Sequence, residues 1–207
     1  MTTKSAVLDD RFILHETQLG PETGPVNFAG FFDPAQPVQI EIGSGSGTTL
    51  IHLAKTNPRT NFVGIEWSLP FYRHSANRLR KHNILNAKML RTDAKFLFTS
   101  DRVAAQTLAA CHIYFPDPWP KKRHHKRRTV DPRFCAALAH TIIPGGKVYI
   151  ASDHEEYFQQ MEASLLSRPE FTPCDFDSPA GTEVVSNFEA KFIKEGRRIY
   201  RFAVKKV

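Results

Sequence analysis

Cysteine is scarce in this chain, with three residues, Cys111, Cys135 and Cys174, that are odd in number and widely separated. That spacing excludes a disulfide framework and the close cysteine pairs of a structural zinc site. The three are expected to be ordinary small side chains in a reducing compartment, and no metal is expected. Long apolar runs are missing too. No stretch approaches the roughly 18 apolar residues of a membrane span, and MTTKSAVLDD lacks the apolar core of an export signal. The expectation is a soluble, cytoplasmic protein with no membrane contact. Internal repeats and low-complexity tracts are also absent.

What is present is enough apolar content, 41% of 207 residues, for one full core. From residue 38 onward short apolar runs alternate with helical patterns, which predicts βα units and a parallel sheet. Strands are expected at 38–42 (VQIEI), 61–66 (NFVGIE), 87–91 (AKMLR), 111–115 (CHIYF), 147–151 (KVYIA) and 198–204 (RIYRFAV). Helices are expected at 48–55, 132–141 and 155–167, and Pro144-Gly145-Gly146 marks a turn into the fifth strand. Residues 37–207 are expected to form a single domain. Residues 1–36, rich in Pro and Gly, show no period and are expected to be irregular, and 168–182 resembles a loop or insertion.

The strand VQIEI runs directly into Gly43-Ser44-Gly45-Ser46-Gly47 and then a helix, which lets a ligand approach the backbone. Glu66 closes the next strand 19 residues after Gly47, where a carboxylate in a doubly wound fold accepts from both ribose hydroxyls. Together they indicate a nucleoside cofactor. The loop is G-x-G-x-G rather than the G-x-G-x-x-G that seats a pyrophosphate, and Glu41 stands two residues ahead of it. A carboxylate there repels a pyrophosphate but suits a sulfonium and an α-ammonium, which favours S-adenosylmethionine over NAD. Asp93, at the end of the third strand, either meets the adenine amino group or caps a helix.

Charge is uneven along the chain. The run Lys121–Arg128 (KKRHHKRR) carries six of the 28 Lys and Arg and no acid, which leaves 22 bases against 21 acids elsewhere. A second enrichment comprises Lys191, Lys194, Arg197, Arg198 and Arg201. Such runs are commonly solvated surface, or a nuclear localisation signal. Here the run follows Phe115-Pro116-Asp117-Pro118-Trp119-Pro120 at the end of the fourth strand. A proline-stiffened Asp beside a large aromatic suits a flat base, although Trp119 in the core and Asp117 in a turn is an equal reading. A base pocket beside phosphate-binding cations favours nucleic acid over a small substrate, and about six such contacts imply a steep loss of affinity with salt.

The series E-I-G-S-G-S-G, G-I-E-W and F-P-D-P-W-P-K-K-R-H-H-K-R-R resembles the bacterial tRNA (guanine-N7)-methyltransferases over most of residues 38–204. The resemblance implies an α/β, Rossmann-like, doubly wound, mostly parallel sheet of the class I methyltransferase type, with helices on both faces and the last strand antiparallel. It implies S-adenosylmethionine as cofactor and the variable-loop guanosine of tRNA as substrate; a monomer or weak homodimer is expected. By similarity, Glu41, Gly43, Gly45, Gly47, Glu66, Asp93 and Asp117 would hold the cofactor, and Asp117 would also be catalytic. Lys121, Asp153 and the segment Ser186-Asn187-Phe188-Glu189 would bind substrate. The family usually shows T-K-F-E at this last segment and a histidine where Pro120 stands, so substrate detail departs from the pattern.

Guanine N7 offers an in-plane lone pair and no proton to remove, so alignment is the main task and no strong base is needed. A methyltransferase of another RNA base, a non-catalytic RNA-binding subunit and a dehydrogenase are the competing readings. The four acids expected around the cofactor speak against the second, and Glu41 with the loop spacing against the third.

Overall fold

Each apolar run becomes a strand because helices on both sides of the sheet need its alternating side chains. A computed structural model describes residues 8–19, 24–32, 36–178 and 187–207, with the side chains of residues 187–189 outside that description. The strands are β1 (Ile13–Leu14), β2 (Val38–Ile42), β3 (Asn61–Ile65), β4 (Ala87–Leu90), β5 (Leu108–Tyr114), β6 (Ile142–Ser152), β7 (Phe171–Cys174) and β8 (Tyr200–Lys206). They form one sheet in the order β1-β4-β3-β2-β5-β6-β8-β7. Pairing from β1 to β6 is parallel, while β8 lies antiparallel to both β6 and β7. The helices are α1 (Thr48–Thr56), α2 (Leu69–Lys81), α3 (Ala94–Thr99), α4 (Pro132–Thr141), α5 (Glu155–Leu166) and α6 (Asn187–Lys194).

Strand alternation sorts the core into two layers. Val38, Ile40, Ile42, Val63 and Ile65 bury against α3, α4 and α5, whereas Phe62, Ala87 and Met89 bury against α1 and α2. Farther along that second face the filling is polar. His112 lies between the Gln39 side chain and the Tyr114 hydroxyl, 2.8 Å from each, and stacks on Tyr149. Burial pushes its pKa down to about 3, so it is a neutral bridging group. Among the described residues, no helix is long and apolar enough to cross a membrane.

Most element ends differ from the sequence expectation by a residue or two, β5 begins three residues earlier, α2, α3 and α6 have no counterpart in it, and three further regions differ in kind. Pro144-Gly145-Gly146 does not precede a strand. It bulges out of β6, whose pairing jumps from Leu108↔Ile142 to Ala110↔Lys147. Gly145 has φ +80°, and a Cβ on Gly146 would come within 2.9 Å of the Ala109 carbonyl oxygen. The stretch expected as a loop contains β7, a sheet-edge strand that tolerates Pro173. The N-terminal segment, expected to be irregular, supplies β1 alongside β4 and buries Phe12, Ile13, Leu14, Leu19, Val26 and Phe28.

Candidate active site

Because β2 to β6 are parallel, the loops that follow them emerge at one edge of the sheet. Their order there is Asp93 after β4, Glu66 after β3, the glycine loop after β2, Asp117 after β5 and Asp153 after β6. The chain winds outward in one direction from β2 and in the other from β5, so a crevice opens between these two strands.

The glycine loop is built from alternating left-handed residues, with φ +76° at Gly43, +51° at Gly45 and +72° at Gly47. A non-glycine residue at any of the three would be strained. Glu66 reaches across from β3 and accepts from Gly45 N at 2.8 Å and Ser68 N at 2.7 Å. It therefore braces the loop, and each carboxylate oxygen keeps lone-pair capacity for a ligand. Ser75 on α2 donates to the Gly45 carbonyl at 2.6 Å, and Arg78 donates to the Ser46 carbonyl at 2.6 Å and to Thr48 Oγ1 at 2.8 Å. Ser75 and Arg78 carry no local sequence signal, since each acts on a loop some 30 residues upstream.

Glu41 is 3% exposed, and its Oε2 has no hydrogen-bond partner among the described residues. Burial pushes its pKa up to about 7, opposed by hydrogen bonds from Ser44 and Thr49 and reinforced by the charge of Glu66. An orphaned buried carboxylate oxygen beside a loop kept free of side chains fits a ligand that carries a positive charge. Asp93 is exposed and caps α3, accepting from Phe96 N at 3.1 Å, so its helix-capping reading is realised. Trp67, directly after Glu66, is 65% exposed, with the Arg91 guanidinium 5.5 Å from its ring centre.

The loop after β5 is strained at both ends, with φ +51° at Phe115 and +43° at Trp119. Bulky residues rarely adopt such angles, and they recur where a backbone is held for function. Between them Asp117 is exposed, while Trp119 is half-buried, with the Arg127 guanidinium 4.8 Å from its ring and His124 edge-on at 5.9 Å. Trp119 thus stands neither in the core nor free in solvent. The basic run folds as a 3-10 turn over Lys122–Arg127. Lys121, Lys122, Arg123, Lys126 and Arg127 are exposed, but Arg128 is fully buried. The expected six phosphate contacts are therefore at most five, because the last cation of the run faces inward.

A family described as "Putative methyltransferase" matches residues 35–202. A tRNA (guanine-N(7)-)-methyltransferase of Nitrosomonas europaea is 34% identical over 177 residues, covering 84% of this chain and 79% of the relative. One from Nitrosococcus oceani is 33% identical over 184 residues, covering 89% and 78%. The chain belongs to the tRNA (guanine-N(7)-)-methyltransferase family. Among solved structures, the aminoglycoside resistance methyltransferase NpmB1 shares the fold, with a TM-score of 0.58 at 16% identity over 84% of this chain and 89% of that one.

The remaining family positions lie on the β6 side of the crevice. Asp153 precedes α5 and accepts from Arg197 at 2.7 Å. Arg197 also packs its guanidinium 4.6 Å from the Phe192 ring centre, and Phe192 meets Phe115 edge-on at 5.5 Å. Through these contacts α6 and the residues after it pack beside the Asp117 loop. Asn187, Phe188 and Glu189 form the first turn of α6, and Ser186 lies outside the described residues. Lys121 precedes the 3-10 turn and is exposed.

Proposed function

We propose that this protein transfers the methyl group of S-adenosylmethionine to N7 of the variable-loop guanosine of tRNA, giving 7-methylguanosine. One observation carries the reading. An orphaned carboxylate beside a glycine loop and a strained Asp-aromatic loop that leads into five exposed cations emerge from adjacent parallel strands, β2 and β5. The cofactor, when bound, supplies an electrophilic methyl on a sulfonium.

The chain supplies alignment and charge. Glu41, Glu66 and the left-handed glycines hold the cofactor, with Asp93 and Asp117 completing its site. Glu41 gives its desolvated carboxylate to the ligand's positive end, and this relieves the cost of burying it alone. Asp117 receives the edge of the guanine and stabilises the positive charge that grows on the purine as methylation proceeds. No residue has to remove a proton from N7. Lys121, Asp153 and the Ser186–Glu189 segment hold the substrate, and the exposed cations of the 3-10 turn meet RNA phosphates. Residues 37–207 form the methyltransferase domain, onto which residues 8–19 and 24–32 fold, and the enzyme works in the cytoplasm as a monomer or weak homodimer.

Incubation with S-adenosylmethionine and unmodified tRNA transcripts, followed by nucleoside mass spectrometry, tests the proposal. Appearance of 7-methylguanosine supports it. A different methylated nucleoside would overturn the guanine assignment, and cofactor binding with no product would point to an RNA-binding role.

A further inference from the structure

Arg128 ends a run that looks like an RNA-binding surface, yet its side chain is fully buried. Each of the three nitrogens of its guanidinium donates inside the protein. Nε donates to the Pro118 carbonyl at 2.9 Å. Nη1 and Nη2 grip the two carboxylate oxygens of Glu156 at 2.9 and 2.6 Å, and Nη1 also donates to Gln160. The guanidinium plane packs 4.7 Å from the ring centre of Tyr157, whose hydroxyl accepts from Val130 N at 3.1 Å. Gln160 in turn donates to the Val130 carbonyl at 3.2 Å, and Lys95 donates to the Arg128 carbonyl at 2.9 Å.

These contacts join two places that matter. Pro118 lies between Asp117 and Trp119, and Glu156, Tyr157 and Gln160 belong to α5, whose first turn follows directly on Asp153 and His154. Only a planar, multi-donor cation makes a backbone bond, a bidentate carboxylate grip and a ring stack at once. Lysine provides one point charge and cannot.

We infer that Arg128 is a positioning residue for methyl transfer, a buried bracket that fixes the Asp117 loop to α5 and so sets Asp117 and Asp153 in one frame, and that it contacts no RNA. This rests on the reading of Asp117 as the base-facing group and of Asp153 as a substrate-holding group. Arg127 and Arg128 thus divide neighbouring positions between two tasks, with Arg127 at the phosphate surface and Arg128 in the frame.

The test compares Arg128→Lys with Arg127→Ala in two measurements, tRNA affinity across a salt series and single-turnover rate at saturating tRNA. The salt series needs no turnover, and the wild-type product reports separately on the guanine reading. Arg128→Lys should leave the salt slope and tRNA affinity as in wild type and lower the rate on the order of tenfold to a hundredfold, since a displaced reacting group costs that much. Arg127→Ala should make the slope shallower by about one unit. A shallower slope for Arg128→Lys with its rate intact would overturn the inference. Should Arg128→Lys fail to fold, Glu156→Gln serves instead, because that side chain is 56% exposed and its loss loosens the grip without emptying the core. A slower rate with unchanged tRNA affinity supports the bracket, and an unchanged rate refutes it.

Discussion

The two halves of the crevice are held by opposite means. On the β2–β3 side the protein satisfies itself: Gly45 is gripped by Glu66 at its N–H and by Ser75 at its carbonyl, and Arg78 ties down the residues beyond. One buried atom, Glu41 Oε2, has no partner there among the described residues. On the β5 side Asp117 and five cations are exposed beside a strained backbone, and Arg128 ties that loop to α5 from beneath. A small, charged cofactor calls for a closed cradle of fixed dipoles, whereas a large polyanion calls for cations in solvent that can meet it. The same residue type serves both ends, since Arg78 and Arg128 act inside the fold while Arg123 and Arg127 lie exposed.

Replacing Asp117 with Ala attacks the outward half where the effect should be largest. Single-turnover methylation should slow on the order of a hundredfold to a thousandfold, as when one preorganised group is lost from a transition state. Unchanged turnover would remove Asp117 from the chemistry.

The cradle is probed by Glu41→Gln. In the native protein Glu41 titrates at about 7 against 4.5 for the free side chain. Between those values the folded state binds a proton that the unfolded state has lost, so stability falls as pH rises through that window. Above it the cost of the ionised, unpaired carboxylate is about 3 kcal/mol. Cofactor-free Glu41→Gln should therefore gain stability over wild type from pH 5 to pH 8 while binding the cofactor more weakly. Parallel melting curves for the two proteins across that range would show that Glu41 is not held in this way.

A smaller loss is expected from Gly47→Ala. Its φ of +72° strains any side chain, and the new Cβ would stand 2.9 Å from Ser75 Oγ. Chemical denaturation should register about 1–2 kcal/mol. An unchanged denaturation midpoint would show that the backbone angle and this close approach matter little. The mildest change, Lys122→Ala, should reduce the salt slope of tRNA binding by about one unit and leave the melting temperature alone. No change in slope would mean that the exposed turn lies outside the RNA contact.

The sequence made the inward-facing framework legible wherever signal and structure were local. Val38–Ile42, the glycine triplet and Glu66 follow from alternation and spacing, and so does the parallel order that lines up the five loops. What escaped was long-range. Phe171–Cys174 is a strand only because β8 returns beside it, and Ile13–Leu14 only because β4 offers an edge. Ser75 and Arg78 look like any polar helix residues until the helix is laid against the loop. Asp93 shows the limit from the other direction, because capping a helix and facing a ligand require the same residue at the same place. Arg128 departs from its charged neighbours for a related reason, since charge alone does not reveal which way a side chain turns.

The sheet order also constrains how the chain can assemble. β8 lies between β6 and β7, so β7 is made before the neighbour that pairs it to the sheet exists. The contacts on the β6 side of the crevice, Arg197 against Asp153 and Phe192 against Phe115, are carried on the segment that leads into β8. Lys206, near the end of β8, then locks in by donating to the Ala139 and Ile142 carbonyls at 2.6 and 2.8 Å. A chain made only as far as β7 therefore contains the glycine loop but lacks Arg197 and Phe192, the groups that meet Asp153 and Phe115.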